Sequence, residues 1–154
     1  MTNTNSGRRE RLDPRFDVLV PSDISLDVLV DFGEREGPHW LEGPVWDRRN
    51  SYLLFSDVKA NAIQRWERDR GVRLFMQPSG YTGEEPFAGD EPGSNGLAFD
   101  TQGRLLICAH GDRRIRRLEA DGSKTVLADR YDGHRLNSPN DLVCRSNGDI
   151  YFTD

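Results

Sequence analysis

A fifteen-residue pattern recurs three times in this chain, and it restricts the fold more than any other feature. Glu42 opens EGPVWDRRNSYLLFS, Asn95 opens NGLAFDTQGRLLICA and Asn140 opens NDLVCRSNGDIYFTD, and the three windows align without a gap. Apolar positions coincide: Val45, Ala98 and Val143; Tyr52, Leu105 and Ile150; Leu54, Ile107 and Phe152. Turn residues Asn50, Gly103 and Gly148 share one offset. Each copy therefore reads as strand, turn, strand. The opening residues lie 53 and then 45 positions apart, a period typical of a four-stranded propeller blade. The pattern predicts an all-β chain holding an incomplete β-propeller of about two and a half blades. At each opening position stands an oxygen-bearing side chain: Glu42, Asn95, Asn140.

The remaining segments fit that frame. Residues 1–15 are polar and without period, and read as a disordered tail; the propeller portion spans 16–154. Ile24–Phe32 has strand character and suits an outer strand that completes another blade. Blade one predicts strands near Pro44–Trp46, Tyr52–Phe55, Ala62–Glu67 and Val72–Met76. Blade two predicts Leu97–Phe99, Leu105–Ala109, Ile115–Glu119 and Thr125–Leu127. Between them, Pro78–Ser94 is a long insertion rich in Gly and Pro, of a length usually reserved for function. The third copy reaches only its second strand, which reads as a fragment unable to close a ring alone. The blade faces left unpaired predict self-association or pairing with a missing C-terminal half.

Composition excludes several classes. The formal net charge is −5, and no basic stripe is present to neutralise phosphates, so nucleic acid is not an expected partner. The run Arg113, Arg114, Arg116, Arg117 is followed at once by Glu119 and Asp121 and reads as a solvated surface. No apolar run approaches the ~20 residues of a membrane span. Cys108 and Cys144 lie in different predicted strands with no metal-type spacing, and read as small apolar residues in a reducing compartment. A cytoplasmic location is the expectation that follows.

HWLEGPVW, SNGLAFD and, above all, RLNSPNDLV followed by GDIYFTD resemble the gluconolactonase branch of the SMP-30/gluconolactonase/LRE family. The resemblance covers roughly Val28–Asp154. It implies a six-bladed β-propeller, a divalent metal at one end of the central channel, and hydrolysis of a sugar lactone. Carried over by position, Glu42 of EGPVW matches the metal-binding glutamate. Asn140 of SPND matches an asparagine that lines the metal and substrate pocket. The family's other usual ligands, an asparagine and an aspartate of later blades, have no counterpart in these 154 residues. On this ground little metal affinity or lactonase activity is expected of the chain by itself.

Independent chemistry favours the same positions. Residues at one offset in successive blades converge on the channel axis, and a carboxylate with an amide carbonyl supplies hard oxygen donors. Ca²⁺ is the first expectation, with Mg²⁺, Mn²⁺ or Zn²⁺ as alternatives. An ion held this way acts as a Lewis acid on a lactone carbonyl or on bound water. Asn140 is thus a ligand and a catalytic candidate. Asp141 is either a general base or an acceptor for backbone amides. Asn95 either lines the pocket or caps a turn. His110 either faces the channel, binding substrate, or is a satisfied polar residue at a blade edge. His134 and Arg135 precede SPND and either greet a polyhydroxylated substrate or belong to a solvated loop. Trp40 and Trp46 flank Glu42; either ring stacks on a sugar, or, for Trp46, the ring packs between blades. No nucleophile elbow, P-loop, HExxH or EF-hand loop competes. The alternative to a lactonase is a non-catalytic propeller of the NHL or WD40 kind that binds a protein or ligand.

Overall fold

The computed structural model describes residues 10–20, 27–32 and 39–154. They divide into two units, one ending at Asp31 and the other beginning at Phe32. Most of the expected tail, residues 1–9, lies outside the described residues. In the first unit, α1 (Phe16–Leu19) is a single helical turn, preceded by Asp13, whose carboxylate accepts the Arg15 backbone N–H at 2.8 Å. The strand expected over Ile24–Phe32 does not form across its described part, residues 27–32. A closing strand exists only where it is paired with the edge of the blade it completes.

The second unit is built of antiparallel sheets. Blade one comprises β1 (Leu41–Asp47), β2 (Tyr52–Asp57), β3 (Ala62–Glu67) and β4 (Gly71–Met76), hydrogen-bonded in that order. Blade two repeats the meander with β5 (Leu97–Phe99), β6 (Leu105–Ala109), β7 (Arg114–Leu118) and β8 (Lys124–Ala128). A short hairpin, β9 (Arg130–Tyr131) and β10 (His134–Arg135), occupies what the sequence presented as a loop. The third copy supplies β11 (Leu142–Cys144) and β12 (Ile150–Phe152). Every strand forecast in the repeats is present to within a few residues. The partial propeller is therefore the observed architecture.

Strand β6 shows why the blades stack. All five of its residues are buried. Side chains alternate across a strand, so Leu105 and Ile107 pack with Tyr52, Leu54, Ile63 and Leu97 toward blade one. Leu106 and Cys108 pack with Ile115 and Leu142 toward the third copy. Burying each such aliphatic side chain contributes about 1.5–3 kcal/mol. The third copy has the same pattern without the same cover. Leu54 and Ile107 are 0% exposed, whereas their equivalent Phe152 is 36% exposed and its neighbour Tyr151 55%. Cys108 is buried, Cys144 half-buried, and both are free. Among the described residues no helix is long and apolar enough to cross a membrane.

Candidate functional site

The innermost strands β1, β5 and β11 approach each other at one end, and glycine makes that approach close. Gly43 follows Glu42 at φ +60°, inside a register shift of β1, and a Cβ there would lie 2.3 Å from the Asn95 carbonyl oxygen. Gly96 follows Asn95 at the same window offset. A Cβ there would lie 2.5 Å from Asp141 Oδ1 and 2.9 Å from the Asn140 carbonyl oxygen. The Gly96 N–H donates to that carbonyl at 2.7 Å. A glycine after each of the first two opening positions thus lets the next copy's opening residue come alongside. Glu42, Asn140 and Asp141 line one pocket of about 220 Å³ with Gly43, Pro44, Gly96 and Leu97.

Asn95 is the interior member of the group, only 2% exposed. Its Nδ2 donates to Asn140 Oδ1 at 3.0 Å and to His110 Nδ1 at 3.0 Å. Its Oδ1 is buried with no hydrogen-bond partner. Among the described residues it is the one oxygen of five buried side-chain polar atoms without a partner. His110 Nε2 lies 3.6 Å from Glu91 Oε2, at the end of the 78–94 insertion. That insertion is tied down: the Gly93 N–H donates to the Val58 carbonyl at 2.9 Å, and Thr82 Oγ1 donates to Asp112 Oδ2 at 2.6 Å.

Asn140 itself is exposed, and its backbone N–H donates to the Thr153 carbonyl at 3.0 Å. Asp141 is also exposed. Its Oδ1 accepts the Leu142 N–H at 2.8 Å, and its own N–H donates to Thr153 Oγ1 at 3.1 Å. The loop that carries Asn140 is held by Asp154, whose carboxylate accepts the Asn137 N–H at 2.7 Å and the Ser138 N–H at 2.8 Å. Glu42 carries the electrostatic burden. Burial raises its carboxyl pKa, the charges of Glu91 and Asp141 push the same way, and His110 opposes them. Burial also raises the Cys108 thiol, with Asp141 and Glu42 adding to it.

Five candidates from the sequence are thereby assembled: Glu42, Asn95, His110, Asn140 and Asp141. Arg135 is not among them. It is exposed on β10, and its guanidinium donates to the Asp112 carbonyl at 3.3 Å. Trp46 lies at the far end of β1, beside Arg48, Phe99 and Gly103, while Trp40 is half-exposed with Lys59 over its ring. Sequence reasoning missed Glu91, Asp154 and the pair His39–Asp57. Asp57 is fully buried against His39 Nδ1. Asp57 follows Glu42 by the same interval that separates His110 from Asn95, and that equal spacing was the available signal.

The donor set fits a hard divalent cation. Glu42 brings a carboxylate whose raised pKa a cation would relieve, Asn95 brings an unpartnered buried oxygen, and Asn140 brings an amide oxygen beside it. All are oxygen donors of the kind Ca²⁺ and Mg²⁺ take. Among the described residues no three His, Cys, Asp or Glu side chains converge to hold an ion by themselves. Carboxylate and amide oxygens together are thus the set available.

The family model for the SMP-30/Gluconolactonase/LRE-like region matches residues 40–154. A gluconolactonase of Zymomonas mobilis subsp. mobilis is 36% identical over 157 aligned residues, covering 100% of this chain and 42% of the relative. The chain thus spans less than half the length of that relative. Among solved structures, a gluconolactonase of Xanthomonas campestris superposes with a TM-score of 0.64 at 38% identity, over 75% of this chain and 35% of the other. A second gluconolactonase-family structure gives a TM-score of 0.73 at 33% identity, over 92% and 43%. Virginiamycin B lyase of Staphylococcus aureus, at 17% identity and a TM-score of 0.52 over 73% and 34%, shares the fold alone. With the repeat, the blades and the family match over residues 40–154 in agreement, this chain belongs to the SMP-30/gluconolactonase/LRE-like family.

Proposed function

We propose that the pocket at Glu42, Asn95 and Asn140 is this chain's share of a site that hydrolyses a sugar lactone to its hydroxy acid. The observation that carries this reading is the meeting of opening residues from all three copies: Glu42 and Asn140 line one pocket, and Asn95, its Oδ1 buried and unpartnered, donates to Asn140 Oδ1. A divalent cation, Ca²⁺ first, would be held by Glu42 and Asn140 with Asn95 beside them and would supply positive charge to polarise a lactone carbonyl. Asp141, exposed on the pocket wall, accepts the proton of the attacking water as its oxygen bonds to the carbonyl carbon. The ring C–O bond then breaks and the leaving oxygen takes a proton back, giving the open hydroxy acid. Asn140 orients the substrate through its amide, which Asn95 holds in place.

With one carboxylate and two amides, the 154-residue chain holds the cation weakly and turns over little lactone by itself. Exposed Phe152, Tyr151 and Val143 offer the surface on which self-association or the remainder of a ring would restore the site. Two free thiols fit a reducing, cytoplasmic setting. The test is a chimaera in which this chain is continued by the part of the Zymomonas mobilis relative that lies beyond the match. Glucono-δ-lactone hydrolysis, followed by acid release, should appear in the chimaera, vanish with chelator, and fall at least about 100-fold in Glu42→Gln. Chelator-resistant hydrolysis that survives Glu42→Gln rejects the reading.

A further inference from the structure

We propose that Glu91 and His110 form a positioning relay that fixes the side-chain amide of Asn95, and through it presents Asn140 Oδ1 to the pocket. The inference deepens the lactonase reading and rests on it for its functional consequence, though not for its geometry. Asn95 Nδ2 has two N–H donors, and both are used: one toward His110 Nδ1, one toward Asn140 Oδ1. For His110 Nδ1 to accept, the imidazole proton must sit on Nε2. The Glu91 carboxylate, 3.6 Å from Nε2, favours that tautomer. Glu91 therefore sets the tautomer, the tautomer sets which way Asn95 points, and Asn95 sets Asn140.

The opposite orientation of Asn95 has a definite cost. Its Oδ1 would face Asn140 Oδ1, acceptor against acceptor. Asn140 would then rotate its NH₂ inward and withdraw the oxygen that a cation or a lactone hydroxyl needs. In the observed orientation the displaced Asn95 Oδ1 is buried and unpartnered. That is a destabilised arrangement, and a fold keeps such an arrangement where a ligand completes it.

Blade one repeats the device with the partners exchanged. Asp57 stands at the offset of His110, and it pairs with His39, just ahead of Glu42, as Glu91 stands just ahead of Asn95. In both blades a carboxylate and an imidazole clasp the segment leading into the inner strand to the end of the second strand. The 78–94 insertion thereby gains a task, which is to bring Glu91 to His110. Outer partners of this kind typically change affinity or activity 10- to 100-fold when removed.

The first test needs neither metal nor lactone. In the ¹⁵N-labelled chain at mildly alkaline pH, long-range ¹H–¹⁵N spectra should place the His110 proton on Nε2. Glu91→Gln should move population to the Nδ1–H form and shift the side-chain amide signals of Asn95 and Asn140 together. The Glu91 side chain is 36% exposed, so this variant leaves the core intact. A His110 protonated on Nδ1 in the unaltered chain overturns the relay, as do Asn95 and Asn140 signals indifferent to Glu91→Gln. A second arm uses calorimetric Ca²⁺ titration of the chimaera. His110→Ala should weaken binding about 10- to 100-fold, and His110→Asn, whose amide oxygen replaces the Nδ1 acceptor, should recover most of it. Equal loss in both variants marks His110 as merely structural and overturns the relay. A chimaera that binds no Ca²⁺ in any variant rejects the cation reading instead, and the tautomer measurement decides the relay.

Discussion

The two ends of the complete blades are built from the same repeat and treated in opposite ways. At the end away from the pocket, the sixth residue of each window is an aspartate, Asp47 or Asp100, and both are fully engaged. Asp47 accepts the Arg49 and Asn50 backbone N–H groups at 2.9 and 3.0 Å and Asn50 Nδ2 at 2.9 Å. Asp100 accepts the Gln102 and Arg104 backbone N–H groups at 2.9 Å each and Arg104 Nε at 2.7 Å. Burial pushes both carboxyl pKa values up, but these hydrogen bonds outweigh it and hold them below the ordinary value. At the pocket end, the first residue of each window is left wanting: Glu42 has a raised pKa and Asn95 an orphaned oxygen. A polar group satisfied by its own turn explains a fold, whereas the unsatisfied oxygen beside the pocket is where a ligand is proposed.

The contrast is broken most severely by forcing the inner strands apart. Gly43→Ala places a Cβ 2.3 Å from a backbone oxygen at φ +60°. The left-handed backbone costs about 1–2 kcal/mol and the overlap about 1–3 kcal/mol more. A loss of about 2–5 kcal/mol is expected in chemical denaturation, and Asn95 should lose its contact with Asn140 as blade two shifts. A variant as stable as the parent would show that the strands do not meet as described.

Removing a satisfied carboxylate should cost less and touch only stability. Asp47→Ala strips three hydrogen bonds from a turn and should lower stability by about 1–3 kcal/mol, leaving Ca²⁺ binding by the chimaera unchanged. The pH dependence has a fixed sign. Folded pKa values of Asp47 and Asp100 lie below 3.8, so their stabilisation is complete above that pH and lost as pH falls through the folded values. Acid unfolding of the parent should therefore begin below about pH 4. In Asp47→Ala it should lose part of its steepness.

The sequence made the repeating part of this architecture legible, because a period reveals which positions share a face. Strands β3, β5 and β6 fall where the apolar alternation put them, and a shared offset brings Glu42 and Asn140 to one pocket and Asn95 into hydrogen bond with Asn140. What the apolar period does not mark stayed hidden. Glu91 reaches His110 from an insertion without periodicity, and Asp154 holds Asn137 and Ser138 across a loop. The β9–β10 hairpin hangs on two-residue strands, below any pattern's reach. Asp141 illustrates an alternative that residue type could not resolve. It does bond a backbone amide, Leu142 N–H, and it also lines the pocket.

The smallest expected effect is also the one that separates the two ends by sign. Glu42 has a folded pKa above its ordinary 4.5, so the folded chain holds that proton more tightly than the unfolded chain does. Its ionisation therefore costs nothing below about pH 4 and erodes stability as pH rises from 4.5 through the folded value. Glu42→Gln removes that erosion. Thermal melting should show the variant level with the parent near pH 4 and modestly more stable near pH 7, the reverse of Asp47→Ala. Saturating Ca²⁺ should then cancel the advantage in the chimaera, since binding stabilises only the parent, by an amount that grows with ligand concentration over Kd. A Glu42→Gln variant that is destabilised near pH 7 without Ca²⁺ would place Glu42 with the self-satisfied carboxylates, and the difference between the two ends would disappear.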